Sequence, residues 1–370
     1  MHLIVFGLSV SSSWGNGHAT LWRGLIHALA RKGHRVTFYE RDVPYYAAHR
    51  DCFGLPNGEL KLYDDFASIR AEAANALREA DVGMVTSYCP DALAASELVC
   101  ELARTSSFYD LDSPITLDRL QNKESVAYIG PDRLCHFDIV LSYAGGPTLD
   151  RLQQVLGAKR VAALYGSVDP ALHAPTAPNE TYRADLSYLG TYASERQTEL
   201  DELFLAPARA CPSRRFVLGG SGYPDDFAWS NNLYFMGHVP PSEHAAFFSS
   251  ARLNLNVTRG PMAAMGHCPS GRLFEAAASG GAIISDAWLG LDDFFTAGDE
   301  ILVARDRNDV LAALAESDET LRAMALRARE RTLAEHTTDI RAAQLIDILG
   351  DAHAPSREFE REAREQTLEI

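Results

Sequence analysis

The residues whose types are best suited to ligand binding or catalysis lie in one short segment, residues 268–286. Ser270 can cap a helix that ends at a Gly-Gly pair, and a short apolar strand follows. Arg272 and Glu275 are three residues apart, so they share one face of that helix. Because a helix N-terminus and an arginine favour phosphate, and a carboxylate accepts hydrogen bonds from ribose, the segment predicts a nucleotide diphosphate site. The alternative is an ordinary surface ion pair between the two side chains.

A loop rich in small residues follows the first predicted strand and precedes a helix. It contains Gly15, Asn16, Gly17 and His18 and lacks the glycine spacing of the dinucleotide fingerprint, which disfavours a dehydrogenase. The glycines allow a ligand to approach the backbone closely. The positive end of the helix dipole is expected to lower the pKa of His18, which could then act as a general base. The alternative is that His18 only caps the helix or packs.

Two carboxylates, Asp110 and Asp112, alternate at the end of another predicted strand. They could position substrate hydroxyls or orient His18, or they could form a plain turn closed by Pro114. Trp14 is a candidate platform for a sugar ring, with core packing as the alternative. The histidines show no spacing typical of zinc ligands, so no metal site is predicted.

The composition limits the classes of function. The chain has 370 residues, of which 46% are hydrophobic and 23% charged, as expected for a globular protein with two cores. Its net charge of -16 argues against nucleic acid and anionic membrane surfaces as partners. The six cysteines are scattered, which favours reduced thiols and a cytoplasmic location. No apolar run reaches the roughly 20 residues of a membrane span, and the start of the chain is predicted to be a strand rather than a signal peptide.

The elements that must position these residues alternate between buried strands and amphipathic helices, which predicts parallel, doubly wound sheets. Two sets of strands imply two Rossmann-like domains. We predict a first domain over residues 1–168, a second over 169–350, and a charged tail over 351–370 that is helical or disordered. The strand candidates are residues 2–6, 35–39, 82–87, 107–110, 138–142, 160–164, 185–189, 215–218, 233–236, 253–257, 282–285 and 301–303.

Seven short motifs, in this order and spacing, resemble one known family. They are Gly15-Asn16-Gly17-His18-Ala19-Thr20, Arg23-Gly24-Leu25, Gly33-His34-Arg35-Val36, Tyr109-Asp110-Leu111-Asp112-Ser113-Pro114, Tyr188-Leu189-Gly190-Thr191-Tyr192 with Arg196, Phe235-Met236-Gly237-His238-Val239, and Pro269-Ser270-Gly271-Arg272-Leu273-Phe274-Glu275-Ala276. Over about residues 1–350 the chain resembles the GT-B glycosyltransferases, and within them it looks like the CgeB/YkvP-type group. The resemblance implies two Rossmann-like domains that face each other across a cleft.

The resemblance also implies roles for the residues on the second domain. Glu275 matches the second glutamate of a Glu-(seven residues)-Glu motif, which contacts the nucleotide ribose, while His267 stands where the first glutamate is expected. The residues expected to bind the donor are Gly190, Thr191, Arg196, Gly219, Gly220, His238, Val239, Arg259, Ser270, Arg272 and Glu275. Of these, Arg196 and Arg272 are the candidates for the diphosphate, and the turn at His238 is the candidate for contacts with the base.

The first domain is expected to bind the acceptor. Trp14, Gly15, Asn16 and Gly17 would lie on the acceptor side, with His18, Asp110 and Asp112 as the catalytic candidates. A GT-B enzyme neutralises the leaving diphosphate with basic side chains and backbone dipoles, so neither a metal ion nor a cofactor is expected.

The resulting prediction is a metal-independent glycosyltransferase of the hexosyltransferase type. It would transfer a sugar from a nucleoside diphosphate sugar, with a UDP-sugar as the first choice, to an acceptor that the pattern does not specify. Two alternatives stay open: a non-catalytic protein that binds sugar nucleotides or glycans, and an epimerase of the same fold that acts on the nucleotide sugar.

Overall fold

The computed structural model describes residues 1–353, so residues 354–370 of the predicted tail lie outside the described part of the chain. The strands are β1 (His2–Gly7), β2 (Arg35–Arg41), β3 (Gly58–Tyr63), β4 (Val82–Thr86), β5 (Ser106–Asp110), β6 (Ile139–Ser142), β7 (Val161–Ala163), β8 (Ala184–Leu189), β9 (Phe216–Gly219), β10 (Leu233–Phe235), β11 (Ala251–Asn256), β12 (Ile283–Asp286) and β13 (Leu302–Ala304).

Helices connect most of the strands. They are α1 (Gly17–Arg31), α2 (Pro44–Ala47), α3 (Phe66–Glu79), α4 (Ala92–Leu102), α5 (Ser113–Gln121), α6 (Pro147–Leu156), α7 (Gln197–Leu200), α8 (Ala206–Ala210), α9 (His244–Ser250), α10 (Gly260–Met265), α11 (Gly271–Ala278), α12 (Arg307–Ala315), α13 (Asp318–Glu335) and α14 (Thr338–His353). None of the described helices has the length and apolarity that crossing a bilayer would require.

The strands form two parallel sheets. The first has seven strands in the order β3-β2-β1-β4-β5-β6-β7, and the second has six in the order β10-β9-β8-β11-β12-β13. In each sheet the order reverses beside the first strand of the set, which is the topology of a Rossmann-like fold. The predicted fold class, two doubly wound parallel-sheet domains, is confirmed.

Alternating side chains of each central strand fill two separate cores, one on either face of the sheet. In β1, Ile4 and Phe6 belong to one core of the first domain, while Leu3 and Val5 belong to the other. The second sheet is likewise covered on both faces. All twelve predicted strand positions are occupied by strands, and only β3 has no counterpart among them. It is an edge strand whose residues are mostly half-exposed, so its sequence lacks the apolar run of a central strand.

The last described helix returns to the first domain. On α14, Ala342, Leu345 and Leu349 are buried in the same core as Trp22 and Leu25 of α1. Helix α14 therefore covers the first sheet, although it follows the second domain in sequence. The predicted domain limits themselves stay predictions.

The carboxyl ends of the two sheets face each other across a cleft. Backbone contacts join the two sides, since the amide of Gly145 donates a hydrogen bond to the carbonyl of His267 at 2.9 Å. An open sheet of this kind binds its ligands beyond the carboxyl ends of its strands, so the cleft is the expected location of a site for both domains.

Candidate active site

A cavity of about 590 Å³ occupies the cleft and is lined by both domains. The predicted site residues that line it are Gly15, Asn16, Gly17, His18, Asp112, Gly190, Thr191, Arg196, Gly220, His238, Val239, Arg259, Ser270, Arg272 and Glu275. These residues are far apart in sequence, and the two facing sheets bring them together.

Three predicted residues do not line the cavity. Asp110 is fully buried, and its carboxylate accepts a hydrogen bond from the amide of Asp112 at 3.1 Å. Gly219 ends β9, and its carbonyl accepts a hydrogen bond from the amide of Gly190 at 2.9 Å. Trp14 stacks on His49, with ring centroids 4.0 Å apart, and also contacts the ring of His238 at 4.5 Å across the two domains. All three therefore contact residues that line the cavity without lining it themselves.

Helix α11 directs two polar side chains into the cavity. Ser270 is its N-cap and accepts a hydrogen bond from the amide of Arg272. The Arg272 guanidinium donates to the carbonyl of Leu189 and, at 2.8 Å, to the side-chain oxygen of Asn256, both at the carboxyl ends of strands. It also lies 4.9 Å from the ring centroid of Tyr188. These neutral contacts fix the guanidinium, and the carboxylates nearby pair with His244 and Arg259 instead.

Glu275 does not pair with Arg272. Its carboxylate lies 3.3 Å from Nδ1 of His244, and its side chain is 16% exposed. Burial disfavours the charge, but the hydrogen bond and charge of His244, with smaller contributions from His173 and Arg272, lower the pKa of Glu275 to about 2. The alternative of a surface Arg–Glu ion pair is therefore wrong. Instead, Glu275 presents an ionised carboxylate to the cavity.

Opposite α11, the first domain contributes a histidine beside a carboxylate. The side chain of Asn16 caps α1 and accepts a hydrogen bond from the amide of His18 at 3.1 Å. Nε2 of His18 lies 4.0 Å from the carboxylate of Asp112. Burial lowers the pKa of His18 and outweighs the opposing effect of Asp112. His18 is therefore a neutral imidazole at neutral pH, and burial rather than the helix dipole is the main reason.

Asp112 is the centre of a larger network. It accepts hydrogen bonds from the hydroxyl of Tyr88 at 2.8 Å and from Nη1 of Arg259 at 3.2 Å. Arg259 belongs to the second domain and also donates to Glu195, at 2.6 Å from Nη2. This arginine therefore spans the cleft. Sequence reasoning placed Arg259 near the donor and missed Tyr88 and Glu195.

Backbone groups form the remaining wall of the cavity. Gly220 has a φ of 142°, and a Cβ atom there would lie 2.0 Å from the carbonyl oxygen of Gly190, so only glycine fits. The amide of Gly220 donates to the carbonyl of Gly237 at 2.7 Å. Beside them, Arg196 donates to the carbonyl of Thr191 at 3.1 Å, and its Nε has no partner in the described chain.

His267, which stands where the resemblance leads us to expect the first glutamate of the motif, does not take part in the cavity. His267 has a φ of 47°, and its Nδ1 lies 2.7 Å from the carboxylate of Asp293. Its side chain does not line the cavity, because it packs against Gly146 and Gly290. His267 is thus part of the contact between the domains.

Two further histidines line the cavity without any sequence signal. His173 lies in the linker between β7 and β8, and His244 begins α9. Their distances in sequence from each other and from Glu275 match no known motif. Only the fold brings the three side chains together.

One protein family matches part of the chain, and solved structures match its two-domain fold. Residues 196–347 match the family described as glycosyl transferase-like. No curated protein sequence matches the chain. Among solved structures, sucrose-phosphate synthase from Thermosynechococcus elongatus is similar at 14% identity over 95% of this chain and 99% of that chain, with a TM-score of 0.69.

Two further structures extend the comparison. HepE of Anabaena in complex with UDP-glucose has 14% identity over 95% of this chain and 100% of its own, with a TM-score of 0.66. AviGT4, a glycosyltransferase involved in avilamycin A biosynthesis, has 14% identity over 95% and 98% of the two chains, with a TM-score of 0.60. The chain therefore has the GT-B fold, and its second domain carries the match to the glycosyl transferase-like family.

Proposed function

We propose that this protein is a glycosyltransferase that uses a nucleoside diphosphate sugar, with a UDP-sugar as the first choice. The observation that carries the proposal is the arrangement across the cleft: Arg272 and Glu275 face the cavity from the second domain, and His18 with Asp112 faces it from the first. HepE, a protein of similar fold, binds UDP-glucose. We further propose a hexosyltransferase of the CgeB-like group that works in the cytoplasm, in keeping with six free cysteines.

The donor would bind through its phosphates and ribose. Arg272 and Arg196 supply positive charge, and the N-terminus of α11 at Ser270 adds the positive end of the helix dipole. The ionised carboxylate of Glu275 accepts hydrogen bonds from the ribose hydroxyls. The turn at His238, which lines the cavity, would contact the base.

The acceptor hydroxyl would be activated from the opposite side. Its oxygen forms a bond to the anomeric carbon, and its proton passes to a nitrogen of His18, whose neutral imidazole can accept it. The bond between the anomeric carbon and the phosphate oxygen breaks, and its electron pair leaves with the nucleoside diphosphate. Asp112 stabilises the imidazolium, and the arginines stabilise the diphosphate, so the scheme uses no metal ion.

A panel of UDP-, GDP-, dTDP- and CMP-sugars, tested by thermal shift, examines the donor proposal. A ligand at about 100 times its dissociation constant should add roughly 2.7 kcal/mol to the free energy of unfolding. Arg272→Ala is the matched control and should show a smaller shift with the same sugar nucleotide. An unchanged melting temperature with every compound would argue against a donor site.

Incubation with the donor alone then separates transfer from its alternatives. Slow hydrolysis of the donor supports a transferase, and an isomeric nucleotide sugar would identify an epimerase. A donor that binds but stays intact, with every acceptor class tried, would identify a binding protein.

A further inference from the structure

Three metal-binding side chains from separate elements meet at one end of the cavity. They are His173 in the linker, His244 at the start of α9 and Glu275 on α11, and one ligand atom of each lies within 4.8 Å of the other two. All three line the cavity. The transfer scheme above uses only Glu275, so the two histidines have no assigned role.

The hydrogen bonding of these histidines is incomplete. His173 is only 3% exposed, yet neither of its ring nitrogens has a partner in the described chain. A buried polar group that is left without a partner destabilises the folded state. A metal ion that takes the lone pair of one ring nitrogen would give that nitrogen a partner.

His244 and Glu275 together offer two ligand atoms to one cation. Nε2 of His244 lies 3.2 Å from the carbonyl oxygen of Val239 and donates to it, since a carbonyl only accepts. Nδ1 of the same ring then faces a carboxylate oxygen of Glu275 at 3.3 Å. A cation placed beside these two atoms would bind to both.

We propose that His173, His244 and Glu275 form a site for Zn²⁺ or a similar divalent transition metal. Two imidazoles and one carboxylate are a known donor set for zinc, with a fourth position left for water or another ligand. Because all three side chains line the cavity, that fourth ligand would come from the cavity. The bond from His244 to the carbonyl of Val239 is the kind of outer contact that orients a metal-bound imidazole.

The site has a consequence for the donor, and this consequence rests on the proposed function. A zinc ion on Glu275 would occupy the carboxylate that the ribose needs. Zinc and the nucleotide would therefore exclude each other, so that zinc inhibits the enzyme instead of supporting catalysis.

Metal binding is tested first without any assay of activity. Chelator-treated protein is titrated with ZnCl₂ by calorimetry and with CoCl₂ by visible absorption. We expect one metal per chain and cobalt bands of a nitrogen and oxygen site, without the near-ultraviolet band of thiolate ligands. His173→Ala should weaken zinc affinity by at least about tenfold, since even the loss of an outer contact to a ligand can cost that much. His173→Asn serves if the alanine variant melts at a lower temperature than the parent.

Exposed His136 gives a matched control, since its side chain is 64% exposed and pairs only with Asp132. His136→Ala should bind zinc as the parent does. A thiolate band would place the metal on cysteines and overturn the proposal, as would unchanged affinity in both His173 variants. Absence of binding would overturn it as well.

Competition with UDP is the last step. Zinc should weaken UDP binding in the parent but not in His173→Ala. If zinc binds as expected and UDP affinity is unchanged, the metal site stands and the assignment of the ribose to Glu275 fails.

Discussion

His18 is the residue on which the proposed chemistry depends most directly. His18→Ala should lower turnover by about a hundredfold or more, the usual scale for loss of a general base, because no other neutral imidazole on the first domain lines the described cavity. Donor affinity should barely change, since the donor lies on the opposite domain. Steady-state kinetics and calorimetry on the same preparation measure both. His27→Ala, an exposed position on the same helix, is the control. Near-normal turnover would make His18 a structural residue.

The pH dependence of the reaction tests the same residue in another way. Burial lowers the pKa of His18 below its ordinary value, so kcat/KM should rise with pH through that lowered pKa and then level off. Asp112 favours the charged imidazole. Asp112→Asn should therefore shift the acidic limb of the profile to lower pH, even as it lowers turnover. An acidic limb that moves to higher pH, or stays in place, would show that another group titrates.

Arg272 and Glu275 determine donor binding if the proposal is right. Arg272→Ala removes a charge-assisted contact worth roughly 1.5–3 kcal/mol, so donor affinity should fall by about tenfold to a hundredfold. Glu275→Gln keeps the shape, loses the anionic acceptor and should also weaken binding. Calorimetry measures the affinity, and the melting temperature reports on folding.

The chain offers a real surface ion pair as the control for these two variants. Arg183 and Glu180 are also three residues apart, and their side chains are 68% and 79% exposed. Arg183→Ala should cost at most about 1 kcal/mol of stability and leave donor affinity unchanged. If donor affinity is as unchanged in Arg272→Ala and Glu275→Gln as in this control, Arg272 and Glu275 do not contact the donor.

At the scale of elements, the strands were predictable and the meeting of distant side chains was not. A buried parallel strand such as β1 carries a continuous apolar run, Leu3 to Phe6, which is visible in a single sequence. The capped helix with Arg272 and Glu275 was visible for a similar reason, because the spacing of the two residues fixes their common face. His173 and His244 could not be linked to Glu275, since a linker, α9 and α11 meet only after both sheets are packed. The same holds for Tyr88 and Arg259 at Asp112.

Helix α14 shows how an element can belong by packing to a domain remote in sequence. Leu345 is fully buried against the core of the first domain. Leu345→Ala should lower the free energy of unfolding by about 2–5 kcal/mol, the range for loss of a buried leucine side chain. Denaturant unfolding followed by circular dichroism measures the change. Asp347→Ala, exposed on the same helix, should have an effect within about 0.5 kcal/mol. Equal free energies of unfolding for the two variants would mean that the packing of α14 does not stabilise the first domain.

At the scale of the whole molecule, Arg259 connects the two halves of the active-site cleft. It reaches from the end of β11 to Asp112 of the first domain while its other nitrogens bind Glu195. The donor diphosphate carries the same sign of charge as these two carboxylates and would enter the same cavity. If the proposed donor site is right, the carboxylates and the diphosphate would compete for one guanidinium, and the exchange of partners would couple donor binding to the contact between the domains.

This competition predicts opposite results for two substitutions. Arg259→Gln should weaken donor binding by about tenfold, because a charge-assisted contact is lost. Glu195→Gln removes a competitor of similar shape and should leave donor affinity equal to or higher than that of the parent. Calorimetry with the same nucleotide sugar compares the two. If both variants bind the donor more weakly to the same degree, Arg259 and Glu195 act as a fixed structural pair. If only Arg259→Gln is impaired, the arginine exchanges a carboxylate for the diphosphate when the donor enters the cleft.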